Sequence, residues 1–231
     1  MTPSADDRKH PRKEAYFTPA ALAEKAAAML AALAESVPLR RRDFAPVHSA
    51  LLVLDLQAYF LNPASHAFVP SAPAILPGIN ALVRAYAARG LAVILTRHIN
   101  TPGNAGQMAS WWRDLITADD PLSEIDARLE RGTGVEICKP RYDAFLDSPL
   151  EALLRERGVS QVVVCGVMTH LCVETTARSA FMRGFDVFFP VDGTATYTEA
   201  FHRASLLNLA HGFAAPLLVN DVLKALEGGH A

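Results

Sequence analysis

Short, almost wholly apolar runs alternate with helical patterns along most of this chain, and few architectures accept that rhythm. The runs are Ala50–Leu54, Ala92–Thr96, Val135–Cys138, Val162–Cys165, Val187–Phe189 and Leu217–Val219. A strand with one wet face would alternate apolar and polar residues, so near-continuous runs predict strands covered on both faces. Helical spacing appears near Pro77–Ala88, Pro149–Arg157, Cys172–Arg183 and Glu199–His211, with Gly90 and Gly184 where helix-ending glycines belong. Strand–helix alternation builds parallel βαβ units. The sequence therefore predicts a doubly wound α/β fold: a mostly parallel sheet of about six strands with helices on both faces.

The first 45 residues stand outside this rhythm. They open with Arg8, Lys9, Arg12 and Lys13 and become Ala/Leu-rich, but Glu24 and Lys25 interrupt the stretch and spoil it as a secretory segment. Leu22, Ala26, Met29, Leu30 and Leu33 recur at helical steps, and Thr18 before Pro19 caps a helix over about Pro19 to Glu35. Pro38 to Pro46, with Arg40, Arg41 and Arg42, reads as a linker whose arginines face solvent. The expected organisation is an N-terminal helical arm and linker, 1–45, packed on the main domain or on a partner subunit, and one domain, 46–231.

Composition removes several functions. The 231 residues carry 22 Lys+Arg against 24 Asp+Glu, a net charge of −2, so there is no basic surplus to neutralise a nucleic acid. No apolar run approaches the roughly 18 residues of a membrane span. Three cysteines without a C-x-x-C spacing fit reduced thiols in a cytoplasmic protein better than a disulfide framework or a thiolate zinc site.

In doubly wound sheets the working residues sit at the carboxyl ends of the strands. Three windows lie there. Asp55 ends the first strand, where its basicity depends on burial and on a cationic partner; it could equally cap the next segment. Lys139 ends the third, just before Pro140, where it could snorkel to water or pair with Asp55. Cys172 follows the fourth strand and the Gly166 turn, at a helix start whose free amides favour a thiolate and could hold an oxyanion. Cys138 and Cys165 belong to apolar runs and read as small core residues. His170 could be a second base or a hydrogen-bonded structural imidazole.

Taken together, the windows around Asp55, Lys139 and Gly166–Val173 resemble the isochorismatase-like cysteine hydrolase superfamily, which includes nicotinamidases, N-carbamoylsarcosine amidases, ureidoacrylate amidohydrolases and isochorismatases. The resemblance covers roughly His48 to Leu223. It implies a catalytic triad of Asp55, Lys139 and Cys172, a cis peptide at Val167–Met168, and an oxyanion hole made by the backbone amides of Met168 and Cys172. The implied reaction is hydrolysis of a small amide or carbamoyl compound through a thioester, with Asp55 moving the thiol proton to the amine and later activating water. Two alternatives stay open. The segments Lys139–Phe145, Ser148–Leu150 and Ala180–Arg183 look like isochorismatases, which cleave a vinyl ether without a thiol. A catalytically silent binding or scaffold domain is the other.

Nicotinamidases usually carry a metal on an Asp-x-His pair and further histidines near the first triad residue. The stretch Asp55 to Pro70 has only His66 and no such pair, so no metal or other cofactor is expected. Gln57, Tyr59, Arg97, His98, Trp111, Arg141 and Tyr142 are the expected substrate-binding residues. Arg97 could grip a substrate carboxylate or make a salt bridge to a neighbouring loop. Trp111 and Trp112 are adjacent on a helix, so at most one should line the pocket. The family commonly forms dimers or tetramers, which implies a homo-oligomer acting on a small molecule, with the arm a candidate contact.

Overall fold

β1 (Ser49–Leu54) is buried at every position, and it forms the middle of a parallel sheet. On one side lie β2 (Ala92–His98) and β3 (Val135–Lys139); on the other lie β4 (Gln161–Val167), β5 (Asp186–Pro190) and β7 (Ala215–Leu217), giving the order β3-β2-β1-β4-β5-β7. The structure, a computed structural model, describes residues 12–40 and 42–228. The expectations resting on Arg8, Lys9 and Arg41 lie outside the described residues.

A short seventh strand, β6 (Thr194–Ala195), joins the six expected. It pairs with the end of β4 through Gly166 and Val167, after β5 has paired with the beginning of β4. Two residues are too few to carry a periodicity, so no pattern marked it. The strand expected at Leu217–Val219 is β7, two residues earlier, and Val219 instead starts α8 (Val219–Gly228). The apolar run Leu217-Leu218-Val219 continues from strand into helix, and short apolar runs do not separate the two states. Pro216 is compatible with β7 because that strand is an edge.

β3 forms the opposite edge. Glu136 and Cys138 face outward there, so Cys138 is exposed instead of being a core residue, while Cys165 is buried. Among the described residues, no helix is long and apolar enough to cross a membrane.

The helices cover the sheet as the alternation requires. They include α3 (Ala72–Ala88), which follows the single turn α2 (Ala58–Leu61), α5 (Leu150–Glu156), α6 (Glu174–Met182) and α7 (Glu199–Gly212), and α3 packs on α8 as well as on the central strands. α3 begins one turn before Pro77, with Pro73 in its first turn where a missing N–H costs nothing. The N-terminal helix α1 (Leu22–Ser36) packs on this same domain. Lys25 pairs with Glu199 at 2.5 Å, the Tyr16 hydroxyl accepts from the Thr196 amide at 3.0 Å, and buried Phe17 meets the His202 ring edge-on.

Candidate active site

Strand register decides what meets at the carboxyl edge. Leu54 pairs with Thr96 on one side and with Gly166 on the other, and His98 pairs with Lys139. Asp55 therefore emerges between the ends of β2 and β4. It holds a left-handed backbone, φ 53, which is uncommon for a residue with a side chain and better tolerated by Asp and Asn than by most. Lys139 starts two strands away, about 10 Å by strand spacing, and its extended side chain crosses β2 to reach the carboxylate. The result is a salt bridge of 2.7 Å between Lys139 Nζ and Asp55 Oδ2, with both side chains completely buried. Thr96, on the intervening strand, donates its hydroxyl to Asp55 Oδ1 at 2.6 Å. Lys139 also donates to the Arg141 carbonyl at 3.0 Å.

Gly166 lets β4 turn here. Its φ is 114, and a Cβ would lie 2.1 Å from the Leu54 carbonyl oxygen, so no other residue fits without moving β1. The Val167–Met168 peptide that follows is cis. A single π-helical turn, Thr169–Val173, then leads into α6 and carries Cys172. Its sulfur, an Asp55 oxygen and a His98 ring nitrogen lie within 4.8 Å of one another. The sequence left open whether the carboxylate, the amine and the thiol would meet. They converge.

The electrostatics follow from burial and pairing. Burial alone would push the Asp55 carboxyl up, but the Lys139 ammonium, helped by His98 and by hydrogen bonding, holds it below its ordinary value. Burial would likewise strip the Lys139 proton, yet Asp55 and then Cys172 hold the ammonium above its usual value. For Cys172 the balance goes the other way. Burial and the Asp55 charge push the thiol up, with Lys139 opposing them. At neutral pH the resting trio is thus a carboxylate, an ammonium and a neutral thiol. His98 is held below its ordinary value, first by burial and then by Lys139, with Asp55, Asn100 and the Arg141 carbonyl working against them.

Cys172 opens into a cavity of about 670 Å³. Of the expected substrate-binding residues, Tyr59, His98, Trp111 and Tyr142 line it. Trp112 lines it too, which corrects the expectation that at most one indole would. α4 (Met108–Trp111) is only four residues long, and its chain turns extended at Trp112, so helical divergence does not separate the two rings. Gln57, Arg97 and Arg141 are corrections of the opposite kind. Gln57 is fully buried, with its amide donating to the His98 and Ser123 carbonyls and accepting from the His98 amide. Arg97 binds Ser123, Glu124 and Glu136, the salt-bridge alternative. Arg141 turns to the carbonyls of Asn104 and Pro140. His170 takes its structural alternative: its Nδ1 meets the Thr196 hydroxyl at 2.6 Å and its ring stacks on Phe201.

Thr96 and Asn100 went unnoticed in the sequence. Asn100 Oδ1 accepts from His98 Nε2 at 2.7 Å and its Nδ2 donates to the Pro140 carbonyl at 3.0 Å, tying β2 to the segment after Lys139. A polar residue ending an otherwise apolar strand is the signal that marks Thr96, the same signal that marks Asp55.

A family model for the isochorismatase domain matches residues 49–221. The chain belongs to the isochorismatase family. It is 37% identical over 195 residues to nicotinamidase 3 of Arabidopsis thaliana, spanning 82% of this chain and 94% of that protein. It is 28% identical over 201 residues to enterobactin synthase component B of Escherichia coli K12, spanning 84% and 70%. Among solved structures, a cysteine hydrolase from Pseudomonas syringae pv. phaseolicola superposes with a TM-score of 0.80 at 28% identity, covering 84% of this chain and all of that one. The α/β fold of this isochorismatase-family chain is that of its structural relatives.

Solved structures of this fold include a pyrazinamidase of Pyrococcus horikoshii in complex with zinc, 24% identical with a TM-score of 0.66, a likeness of fold alone. Among the described residues, Asp55, His98 and Cys172 form the convergent set of three donors. It is a poor fit for a divalent cation. Both Asp55 oxygens already hold donors, one of them an ammonium, and a metal bound to them would face that positive charge at close range. His66, the first histidine after Asp55 in the chain, lies instead beside Tyr59 and Asp114.

Proposed function

We propose that this isochorismatase-family protein is an amidohydrolase that cleaves the C–N bond of a small amide or carbamoyl compound through a thioester on Cys172. The observation that carries the reading is the buried thiol held against the Asp55–Lys139 ion pair at the mouth of a substrate-sized cavity. Two relatives support it by name: the nicotinamidase, and a streptothricin hydrolase of Streptomyces noursei that is 33% identical over 150 residues, covering 64% of this chain and 54% of that protein.

In this reading Asp55 takes the proton of Cys172, and Lys139 keeps the carboxylate oriented and charged until that moment. The thiolate attacks the substrate carbonyl carbon, and the backbone amides of Met168 and Cys172 meet the developing oxyanion. Asp55 then gives its proton to the departing nitrogen as the C–N bond breaks. Water hydrolyses the thioester and restores the thiol.

Ammonia release from a panel of primary amides and carbamoyl compounds, measured with wild type and with Cys172→Ala, tests the proposal. Wild type should release ammonia, and the variant should lose at least about 10³-fold in rate, in the range seen when a catalytic nucleophile is removed. Full activity in the variant, or consumption of isochorismate in place of any amide, overturns it. The protein is further proposed to act as a homo-oligomer on a small molecule, which light scattering coupled to gel filtration measures directly.

A further inference from the structure

The cavity carries information about its ligand that the triad does not. At about 670 Å³ it falls in the middle of the range for drug-sized ligands and exceeds what a single-ring carboxamide fills. Its walls are mostly rings and hydrocarbon, with Phe60, Met108, Ile116 and Leu171 beside the two indoles. Its charges are already spent. Arg113, which lines the cavity, faces Asp114 at 3.4 Å, and Asp114 lines the cavity as well. Arg97, on β2 beside His98, and Arg141, two residues after Lys139, are bonded away from it. Lys139 is matched by Asp55. A carboxylate brought into this space would lose its water and meet, among the described residues, only groups that already face an acid: Arg113 and His66 beside Asp114, and Lys139 beside Asp55.

One donor is nevertheless placed to orient a neutral ligand. An indole N–H can only donate, so at 2.6 Å the Tyr142 hydroxyl accepts from Trp112 Nε1. The phenol keeps its own proton for an acceptor on the substrate.

On the amidase reading above, we infer that the cavity selects a neutral amide whose acyl part is apolar and larger than one six-membered ring, packed against Trp111 and Trp112. Carboxylate-bearing amides are rejected. These indoles are the only two tryptophans in the chain, and both line the cavity, Trp112 half-buried and Trp111 exposed at its rim, so tryptophan emission responds to ligand bound there.

The test is a fluorescence titration of the Cys172→Ala protein with 2-naphthamide, benzamide, acetamide and 4-carbamoylbenzoate, with Cys172→Ser in its place if the alanine variant does not fold. 2-Naphthamide should bind at least tenfold more tightly than benzamide, and 4-carbamoylbenzoate at least tenfold more weakly. Equal binding along the neutral series, or preference for the carboxylate, overturns the inference. Ammonia release by wild type separates this inference from the reading beneath it. If 2-naphthamide binds in the expected order but no amide is hydrolysed, the amidase reading fails and the pocket inference stands. If amides are hydrolysed with acetamide or 4-carbamoylbenzoate preferred, the pocket inference fails and the amidase reading stands.

Discussion

Asp55 remains charged although fully buried, because Thr96 and Lys139 each hold one of its oxygens. That arrangement fixes a pH signature. A carboxyl held below its ordinary 3.8 contributes stability that is fully present above that value and is lost as pH falls through the lower, folded value. Lys139, held above its ordinary 10.5, contributes stability fully present below that value and lost as pH rises past it. Thermal melts should therefore be flat with respect to this pair across the neutral range, and Asp55→Asn should shrink the loss on the acid side. Lys139→Met leaves the buried carboxylate without its partner and should cost about 3–5 kcal/mol in urea unfolding. Adding Asp55→Asn to that variant should restore part of the loss. Thr96→Val removes one hydrogen bond to a charged group, for about 1.5–3 kcal/mol, and should lower activity while Cys172 remains in place.

Elements supply the convergence that residues alone do not. β1, β2 and β4 were legible because their apolar runs are long and unbroken, and strand-end position singled out Asp55, Lys139 and Cys172. The cavity walls were far less legible. Most of them come from 59–67 and 108–116, loops and single-turn helices without a period to read. Arg97 and His98 show the other limit. Both sit at the end of β2, but successive strand residues point to opposite faces, so the one that lines the cavity is His98. The turn after β4 is the most constrained element. Gly166→Ala should destabilise by about 3 kcal/mol or more, since the new Cβ meets the Leu54 carbonyl and the backbone conformation is wrong for alanine. Differential scanning calorimetry of that variant measures the cost. The arm also belongs to the fold: Phe17→Ala should cost about 3–5 kcal/mol, as expected for emptying a buried aromatic site.

For the whole molecule, fold and chemistry come from one topology. A parallel sheet gathers its strand ends on one edge, and the register there sets β1 against the ends of β2 and β4. At that edge the ammonium already holds the Asp55 carboxylate, which makes Asp55, His98 and Cys172 a poor fit for a divalent cation. Elemental analysis of protein purified without chelators should find less than one equivalent of zinc or iron, and EDTA should leave activity unchanged; stoichiometric metal would reverse that conclusion. The most direct test of the central claim is intact-protein mass spectrometry during turnover of a slow amide, quenched in acid. Wild-type protein should carry an acyl adduct that fragmentation maps to Cys172 and that is absent from Cys172→Ala. Steady hydrolysis with no adduct at any time point, or an adduct on another residue, would contradict it.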